Sequence, residues 1–332
     1  MNNKTNQEKN KNTFETFKML NPQHSENTRK LYAMCLRKLH ERGNFECDVN
    51  DLCFLQDYGT CIEIIEKSFP NITTRRQQLS ILQSVSNCLG FTESALHYTK
   101  KASVLWDTIK ENAVKQELTE RQKKNWITDK QFQQAVKQSV KNARLSLLKD
   151  PNDESTTYQD YLNVQEALIL QFYRLYPLRN DLVDTIFVRT AVTKNSWSPE
   201  TDKNYVYKKN KSFYLVLNRY KTWRKYGQQT FLIKSPMTKY CKWLFDDKKF
   251  NSTDALILTN SGTRMTRNNF SRCFADIMEK HVGVRASTCA VRHCVISETF
   301  KDDAKLTKRQ ELAKTMLHSV ATQQGCYEKK MG

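Results

Sequence analysis

Apolar residues recur at helical spacing in the first part of the chain, after a polar start. Residues 1–20 are polar and predict a flexible tail. From Leu31 to Leu39 the apolar positions mostly follow the i, i+3, i+4 pattern of an amphipathic helix, with Ser25 or Asn27 as the N-cap. The other helical segments predicted here are residues 59–67, a helix from Thr73 or Thr74 to a C-cap at Gly90, and residues 91–115. Residues 21–115 therefore predict a small all-helical domain.

A charged, polar stretch separates this region from a second one. Residues 116–127 predict a linker, and Thr128 can start a long helix that extends to about Lys149. Further predicted elements are a helix over 158–176, short β-rich runs at 205–207, 213–217 and 230–233, and helices over 237–245, 266–280, 288–300 and 308–317. The expected fold class is α+β: mainly α with a small antiparallel β-sheet, the second domain spanning residues 128–332.

Charge indicates the class of partner. The 332 residues include 54 Lys and Arg against 35 Asp and Glu, a net charge of +19. A lysine-rich composition arising from AT-rich coding is the alternative explanation. The distribution favours a polyanionic partner, because Lys203 to Lys249 holds 13 Lys or Arg and only two acidic residues. Aromatic residues are interleaved there: Tyr205, Tyr207, Phe213, Tyr214, Tyr220, Trp223 and Tyr226. We therefore predict a nucleic-acid partner.

Several other classes of protein are excluded at this point. No run of 18 apolar residues predicts a membrane span, and the start MNNKTNQEKNKN lacks the apolar core of a secretory signal. The chain has eight glycines and neither a GxGxxG nor a P-loop motif, so no nucleotide cofactor is expected. Ten cysteines without a CxxC pair predict free thiols in a reducing, intracellular compartment. The spacing of Cys35, His40, Cys47 and Cys53 fits no zinc-ligand pattern, so we predict no metal site.

The last third of the chain carries the sharpest chemical signal. It contains STCAVRHCVISETF (287–300), with Arg292 near the start of an apolar helix, and AKTMLHSVATQQGCY (313–327). In the second segment His318 lies in a Leu-His-Ser sequence and Tyr327 follows nine residues later. This order resembles the C-terminal motifs of the tyrosine recombinases, the integrase family of phages and mobile elements. Those motifs are an Arg-containing box, a Gly-His-Ser box and a nucleophilic Tyr.

The resemblance extends upstream. Arg179, in Leu-Arg-Asn-Asp after an apolar helix, matches the first Arg box, and Lys221, just after the second predicted strand, matches the strand-borne Lys box. The catalytic set is then complete: Arg179, Lys221, Arg292, His318 and Tyr327. The resemblance implies that residues 21–115 are the DNA-binding (core-binding) domain and 128–332 the catalytic domain. The segments LTERQKKNW and RYKTWRKYGQQ are most similar to integrases of virophages and large DNA viruses.

The resemblance also implies a mechanism. The Tyr327 hydroxyl would attack a DNA phosphodiester and form a 3′-phosphotyrosine. Arg179 and Arg292 would bind the non-bridging oxygens, with a further hydrogen bond from His318. Lys221 would protonate the 5′-oxygen leaving group, with Lys225 and Lys234 as alternatives among the nearby lysines. No metal or other cofactor is implied, and the expected assembly is a homotetramer on paired sites in double-stranded DNA.

Two positions depart from the family pattern. Leu317 replaces the Gly of the Gly-His-Ser box, and Cys289 stands three residues before Arg292, where many members have a His. The group that removes the proton from Tyr327 is therefore open: Cys289, water or another group. His293 is a poor substitute, because one helical turn displaces it about 6 Å along the axis.

Other roles also stay open at this point. Asp181 either orients Arg179 or is a carboxylate at a helix start. For the whole chain, the alternatives are a type IB topoisomerase, which uses the same nucleophile, and a catalytically inactive DNA-binding protein on the same fold.

Overall fold

Two compact units make up the chain, residues 1–115 and residues 116–332. The computed structural model describes residues 24–189, 203–300 and 306–329; the predicted tail over 1–20 lies outside them. The fold class expected from the sequence is confirmed, because helices dominate and one small sheet lies in the second unit. Within the described ranges, no helix is both long and apolar enough to cross a bilayer.

The first unit is helical throughout its described part. Its elements are α1 (Glu26–Gly43), a 3₁₀ turn (Cys53–Gln56), α2 (Tyr58–Ser68), α3 (Ile72–Leu89) and α4 (Thr92–Val114). The predicted caps Ser25 and Gly90 are confirmed: the Ser25 side chain accepts from the Thr28 N–H, and Gly90 has a left-handed φ of 76°. The predicted start of α3 at Thr73 or Thr74 was wrong, because Asn71 caps both of those N–H groups.

The second unit surrounds a central buried helix. Its helices are α5 (Glu120–Lys124), α6 (Asp129–Ser146), α7 (Tyr158–Leu175), α8 (Trp223–Tyr226), α9 (Met237–Asp246), α10 (Arg267–Val282), α11 (Thr288–Thr299), α12 (Leu306–Thr315) and α13 (Val320–Thr322). A 3₁₀ turn (Asn180–Asp184) follows α7, and a π-helical turn (Gln323–Tyr327) follows α13. The α7 side chains Tyr161, Leu168 and Tyr173 are buried in the main hydrophobic core of this unit. The predicted linker over 116–127 contains α5.

The sheet differs from the expected one. It has four strands in the order β1 (Thr185–Val188), β2 (Asn204–Lys209), β3 (Ser212–Leu217) and β4 (Gln229–Ile233). β2 is antiparallel to β3 and β3 to β4, but β1 pairs parallel with β2, so the sheet is mixed rather than antiparallel. Residues 189–203 join β1 to β2, and a parallel pair needs a crossover of about a dozen residues or more. The four residues of β1 are too few to show an alternating pattern.

Candidate active site

Arg292 lies in the middle of α11 and is only 2% exposed. The Ser287 side chain caps the helix by accepting from the Ala290 N–H, so Arg292 falls on its second turn. The Arg292 Nη2 donates to Nδ1 of His318 over 3.1 Å. Its Nε and Nη1 are buried and have no hydrogen-bond partner among the described residues. The Arg292 guanidinium is therefore a buried cation with two unpaired donor nitrogens.

His318 is placed by the way α12 ends. The helix closes in a Schellman motif, in which the N–H of His318 bonds the Ala313 carbonyl (3.1 Å) and the N–H of Leu317 bonds the Lys314 carbonyl (3.2 Å). Leu317 occupies the left-handed position of this motif with φ 54°. Glycine is the residue that such a position favours, so the β-carbon of Leu317 strains the backbone here.

The His318 imidazole is neutral and has a free donor. Burial lowers the pKa of His318 to about 3, and the charges of Arg292 and Arg179 lower it further. Because Nδ1 accepts from Arg292, the proton of the neutral ring lies on Nε2. That Nε2 is buried without a hydrogen-bond partner in the described part of the chain. It is a third unused donor beside Arg292.

Tyr327 lies against both of these groups. It ends the π-helical turn, and its half-buried ring stacks on the His318 ring with centroids 5.4 Å apart and planes at 22°. The guanidinium carbon of Arg292 is 4.6 Å from the centre of the same ring. A phenol, a neutral imidazole and a guanidinium therefore converge at one place.

Arg179 is brought towards this cluster by its neighbour Asn180. The Asn180 Oδ1 accepts from the Thr288 hydroxyl (2.7 Å), and its Nδ2 donates to the Ser271 hydroxyl (2.8 Å). Thr288 lies one helical turn before Arg292, so these bonds fix the chain at Arg179 against the start of α11. The half-buried Arg179 is near enough for its charge to lower the pKa values of His318 and Arg292, although burial is the larger cause for both.

The carboxylate of Asp181 has a partner that the sequence did not indicate. Nη2 of Arg267 lies 3.1 Å from Asp181, and Nε of the same arginine donates to Asp184 over 2.6 Å. Burial raises the pKa of Asp181, while the charges of Arg267 and Arg179 oppose that rise. The observed hydrogen bond thus links Asp181 to Arg267, and Arg179 acts on it through its charge.

Lys221 is exposed in the turn between β3 and α8. The hydroxyl of the next residue, Thr222, donates to the Leu317 carbonyl over 2.9 Å. This bond ties the Lys221 turn to the residue that precedes His318. Of the alternative lysines, Lys225 lies 5.4 Å from the Tyr226 ring and Lys234 is exposed after β4.

Cys289 and His293 occupy different surroundings on α11. Cys289 is exposed by surface area, yet the protein around its sulfur desolvates the thiolate and raises the pKa of the thiol, against the charges of Arg292 and Arg179. It is therefore a thiol at neutral pH. His293 is buried, and its Nδ1 lies 2.8 Å from the Tyr327 carbonyl oxygen. Its Nε2 lies 3.4 Å from the Gln122 side-chain nitrogen on α5. His293 thus binds the backbone of Tyr327.

Spacing in the sequence did not reveal the supporting residues. Asn180, Thr222 and Arg267 reach their partners across long stretches of chain, and only the adjacency of Asn180 to Arg179 and of Thr222 to Lys221 signals them.

No group of three or more His, Cys, Asp or Glu is placed to hold a metal ion among the residues that the structure describes. All ten cysteines are free thiols.

Comparisons with known proteins yield one solved structure. No family model matches the sequence, and no curated protein matches it. A crystal structure titled "Crystal structure of XerA recombinase" aligns over 96% of this chain and 92% of its own, with 11% sequence identity and a TM-score of 0.36. At that TM-score the match carries no weight for the activity of this chain, so the geometry described above is what supports a function.

Proposed function

We propose that this protein is a site-specific tyrosine recombinase, an integrase that cleaves and rejoins double-stranded DNA through a 3′-phosphotyrosine. One observation carries the proposal. Arg292 and His318 present three buried donor atoms without partners in the described chain, directly beside the Tyr327 phenol. The finer resemblance to integrases of virophages and large DNA viruses rests on the sequence alone.

Physical chemistry favours an anion at this place. Leaving one buried donor unpaired costs about 1–3 kcal/mol, and more when the donor is charged. Arg292 stays charged at any ordinary pH, although burial lowers its pKa. Asp181, a carboxylate on which the Arg292 charge acts, is bonded to Arg267. A phosphate has several acceptor oxygens and a negative charge, so it would satisfy the Arg292 and His318 donors together.

The proposed reaction proceeds by in-line displacement at phosphorus. The Tyr327 oxygen forms a bond to phosphorus as its proton passes to a water molecule, and the bond from phosphorus to the 5′-oxygen breaks. Arg292, Arg179 and the Nε2–H of His318 stabilise the charge that develops on the non-bridging oxygens. Lys221 donates its proton to the departing 5′-oxygen and yields a 5′-hydroxyl. Attack by a 5′-hydroxyl from another strand then releases Tyr327 and reseals the DNA.

The exposed cations of the basic stretch suit duplex DNA. All the cations between Lys203 and Lys249 except Lys208 are exposed, which is what non-specific contact with phosphates requires. Trp223 lies between two of them, 5.2 Å from the Arg219 guanidinium and 5.8 Å from that of Arg224. Because strand exchange needs two paired sites, we further propose that four copies act together.

A suicide substrate tests this proposal. A duplex nicked near its cleavage site loses a short 5′-hydroxyl fragment after attack, so the covalent protein–DNA adduct accumulates. The wild-type protein should form a protease-sensitive adduct, and Tyr327→Phe, which removes one oxygen, should bind DNA equally well without forming one. Absence of any adduct from the wild-type protein would favour an inactive DNA-binding protein. Relaxation of supercoiled DNA without strand exchange would favour a type IB topoisomerase.

A further inference from the structure

A buried ion pair holds the chain immediately after Tyr327. The Arg309 guanidinium on α12 binds the Glu328 carboxylate with both ends of its fork, Nη1 to Oε2 at 2.7 Å and Nη2 to Oε1 at 3.3 Å. The two side chains are only 12% and 17% exposed. The Arg309 guanidinium also lies 4.1 Å from the centre of the Phe300 ring. Each of these contacts fixes the orientation of the fork.

Backbone contacts on both sides of this pair act on the same short segment. The Glu328 N–H bonds the Gln323 carbonyl (2.9 Å), which closes the π-helical turn, and the Lys329 N–H bonds the Ser297 hydroxyl (2.9 Å) on α11. His293 bonds the Tyr327 carbonyl. The side chains of Glu328 and Gln323 tie this segment to α12, the helix that leads into His318: the buried Gln323 amide donates to the Arg309 carbonyl (3.1 Å) and accepts from the Ala313 N–H (2.9 Å).

The segment needs such a restraint. α13 has three residues and the π-helical turn five, and helices this short do not hold their conformation by themselves. A tyrosine on a loosely held turn would sample many positions, whereas attack at phosphorus needs its oxygen within a few tenths of an ångström of the productive position. Both ends of the Arg309 fork are bound by Glu328, so the part we assign to Arg309 in the reaction is indirect.

We propose that Arg309 and Glu328 are positioning residues: their ion pair locks Tyr327 over Arg292 within its own subunit before DNA arrives. The proposal deepens the assignment of Tyr327 as nucleophile and rests on it for its kinetic consequence. Its structural consequence, an ordered segment over 323–329 in the free protein, does not depend on that assignment.

Two measurements on the full-length chain test the lock. The first is hydrogen–deuterium exchange of residues 323–329 without DNA. The second is the single-turnover rate of adduct formation on the nicked duplex at saturating DNA. The variants are Glu328→Gln, Arg309→Gln and the charge-swapped double variant Arg309→Glu/Glu328→Arg. Glu166→Gln is the matched control, because Glu166 is a similarly buried carboxylate, paired with His281 and Lys280.

The expected results separate positioning from general stability. Each single variant should exchange residues 323–329 roughly 10-fold faster or more and form adduct on the order of 10-fold more slowly, with unchanged DNA affinity. The double variant should recover most of both losses. Glu166→Gln should lower the melting temperature and leave the adduct rate at saturating DNA unchanged.

The proposal and its premise can fail separately. Unchanged exchange over 323–329 in Glu328→Gln, or a loss of rate equally large in Glu166→Gln, would overturn the lock. If the wild-type protein forms no adduct while Glu328→Gln still accelerates exchange of that segment, the lock stands as a structural device and the proposed recombinase function falls.

Discussion

Replacing Leu317 tests how the turn before His318 is held. Leu317 is 3% exposed and packs in the main core, yet its φ of 54° lies in the left-handed region. Two opposing contributions therefore meet at one residue. The leucine side chain contributes burial, and its β-carbon causes backbone strain. Leu317→Ala removes the first and keeps the second, whereas Leu317→Gly removes both.

The magnitudes predict an unusual order of stability. Truncation of a buried leucine to alanine costs about 2–5 kcal/mol. A left-handed conformation costs a residue with a β-carbon about 1–2 kcal/mol, and glycine avoids this at an unfolded-state entropy cost of about 0.4–1 kcal/mol. Both variants should be less stable than the wild-type protein, but Leu317→Gly should be more stable than Leu317→Ala by about 0.8 kcal/mol, the difference between the middles of these two ranges. In a helix interior, glycine is the less stable of the two.

Calorimetric melting of the three proteins measures this order. For a domain of about 150–250 residues, 1 kcal/mol shifts the melting temperature by about 2–4 °C, so the glycine variant should melt about 2–3 °C above the alanine variant. An alanine variant at least as stable as the glycine variant would refute the strain at Leu317. A glycine variant more stable than the wild-type protein would refute the estimate of burial.

Three further predictions concern the site itself. Arg292→Ala and Arg179→Ala should each slow adduct formation at saturating DNA by about 10²–10³-fold, the loss typical of one oxyanion donor, and a near-normal rate would remove that residue from the site. Lys221→Ala should be slow on ordinary DNA and largely rescued by a 5′-bridging phosphorothiolate, whose leaving group needs no acid; rescue of Lys225→Ala instead would relocate the acid. Because the pKa of His318 falls from 6.5 to about 3 on folding, the unfolded chain binds the extra proton between these values. The stability gained from neutral His318 should be complete above about pH 6.5 and lost as the pH falls towards 3; an equally steep loss in His318→Gln would contradict this.

Local sequence patterns were sufficient for most helices. The apolar spacing, with Thr128 as a predicted helix start, placed α6, α10 and α11 to within a few residues, because periodicity is a local property. The structure caps these three helices with Thr128, Thr266 and Ser287. β1 was missed, since four residues carry little pattern and its partner β2 lies beyond a long connection. A parallel pairing depends on a contact between distant residues, which local periodicity does not encode.

For the candidate site too, the sequence indicated the main residues but not the residues that hold them in place. The resemblance supplied the order of Arg179, Lys221, Arg292, His318 and Tyr327, and the structure brings the last three into direct contact. Their supports were not predictable, because each joins residues far apart in the chain. Asn180 reaches Thr288 across 108 positions, and Thr222 reaches Leu317 across 95. Such pairs become visible only when the fold is known.

Peptide mapping of the trapped adduct tests the central claim most directly. The wild-type protein is incubated with the nicked duplex, the adduct is digested with nuclease and protease, and mass spectrometry locates the residual nucleotide. We predict a nucleotide joined through its 3′-phosphate to the oxygen of Tyr327. A nucleotide on any other residue, a linkage through a 5′-phosphate, or no covalent nucleotide at all would contradict the account.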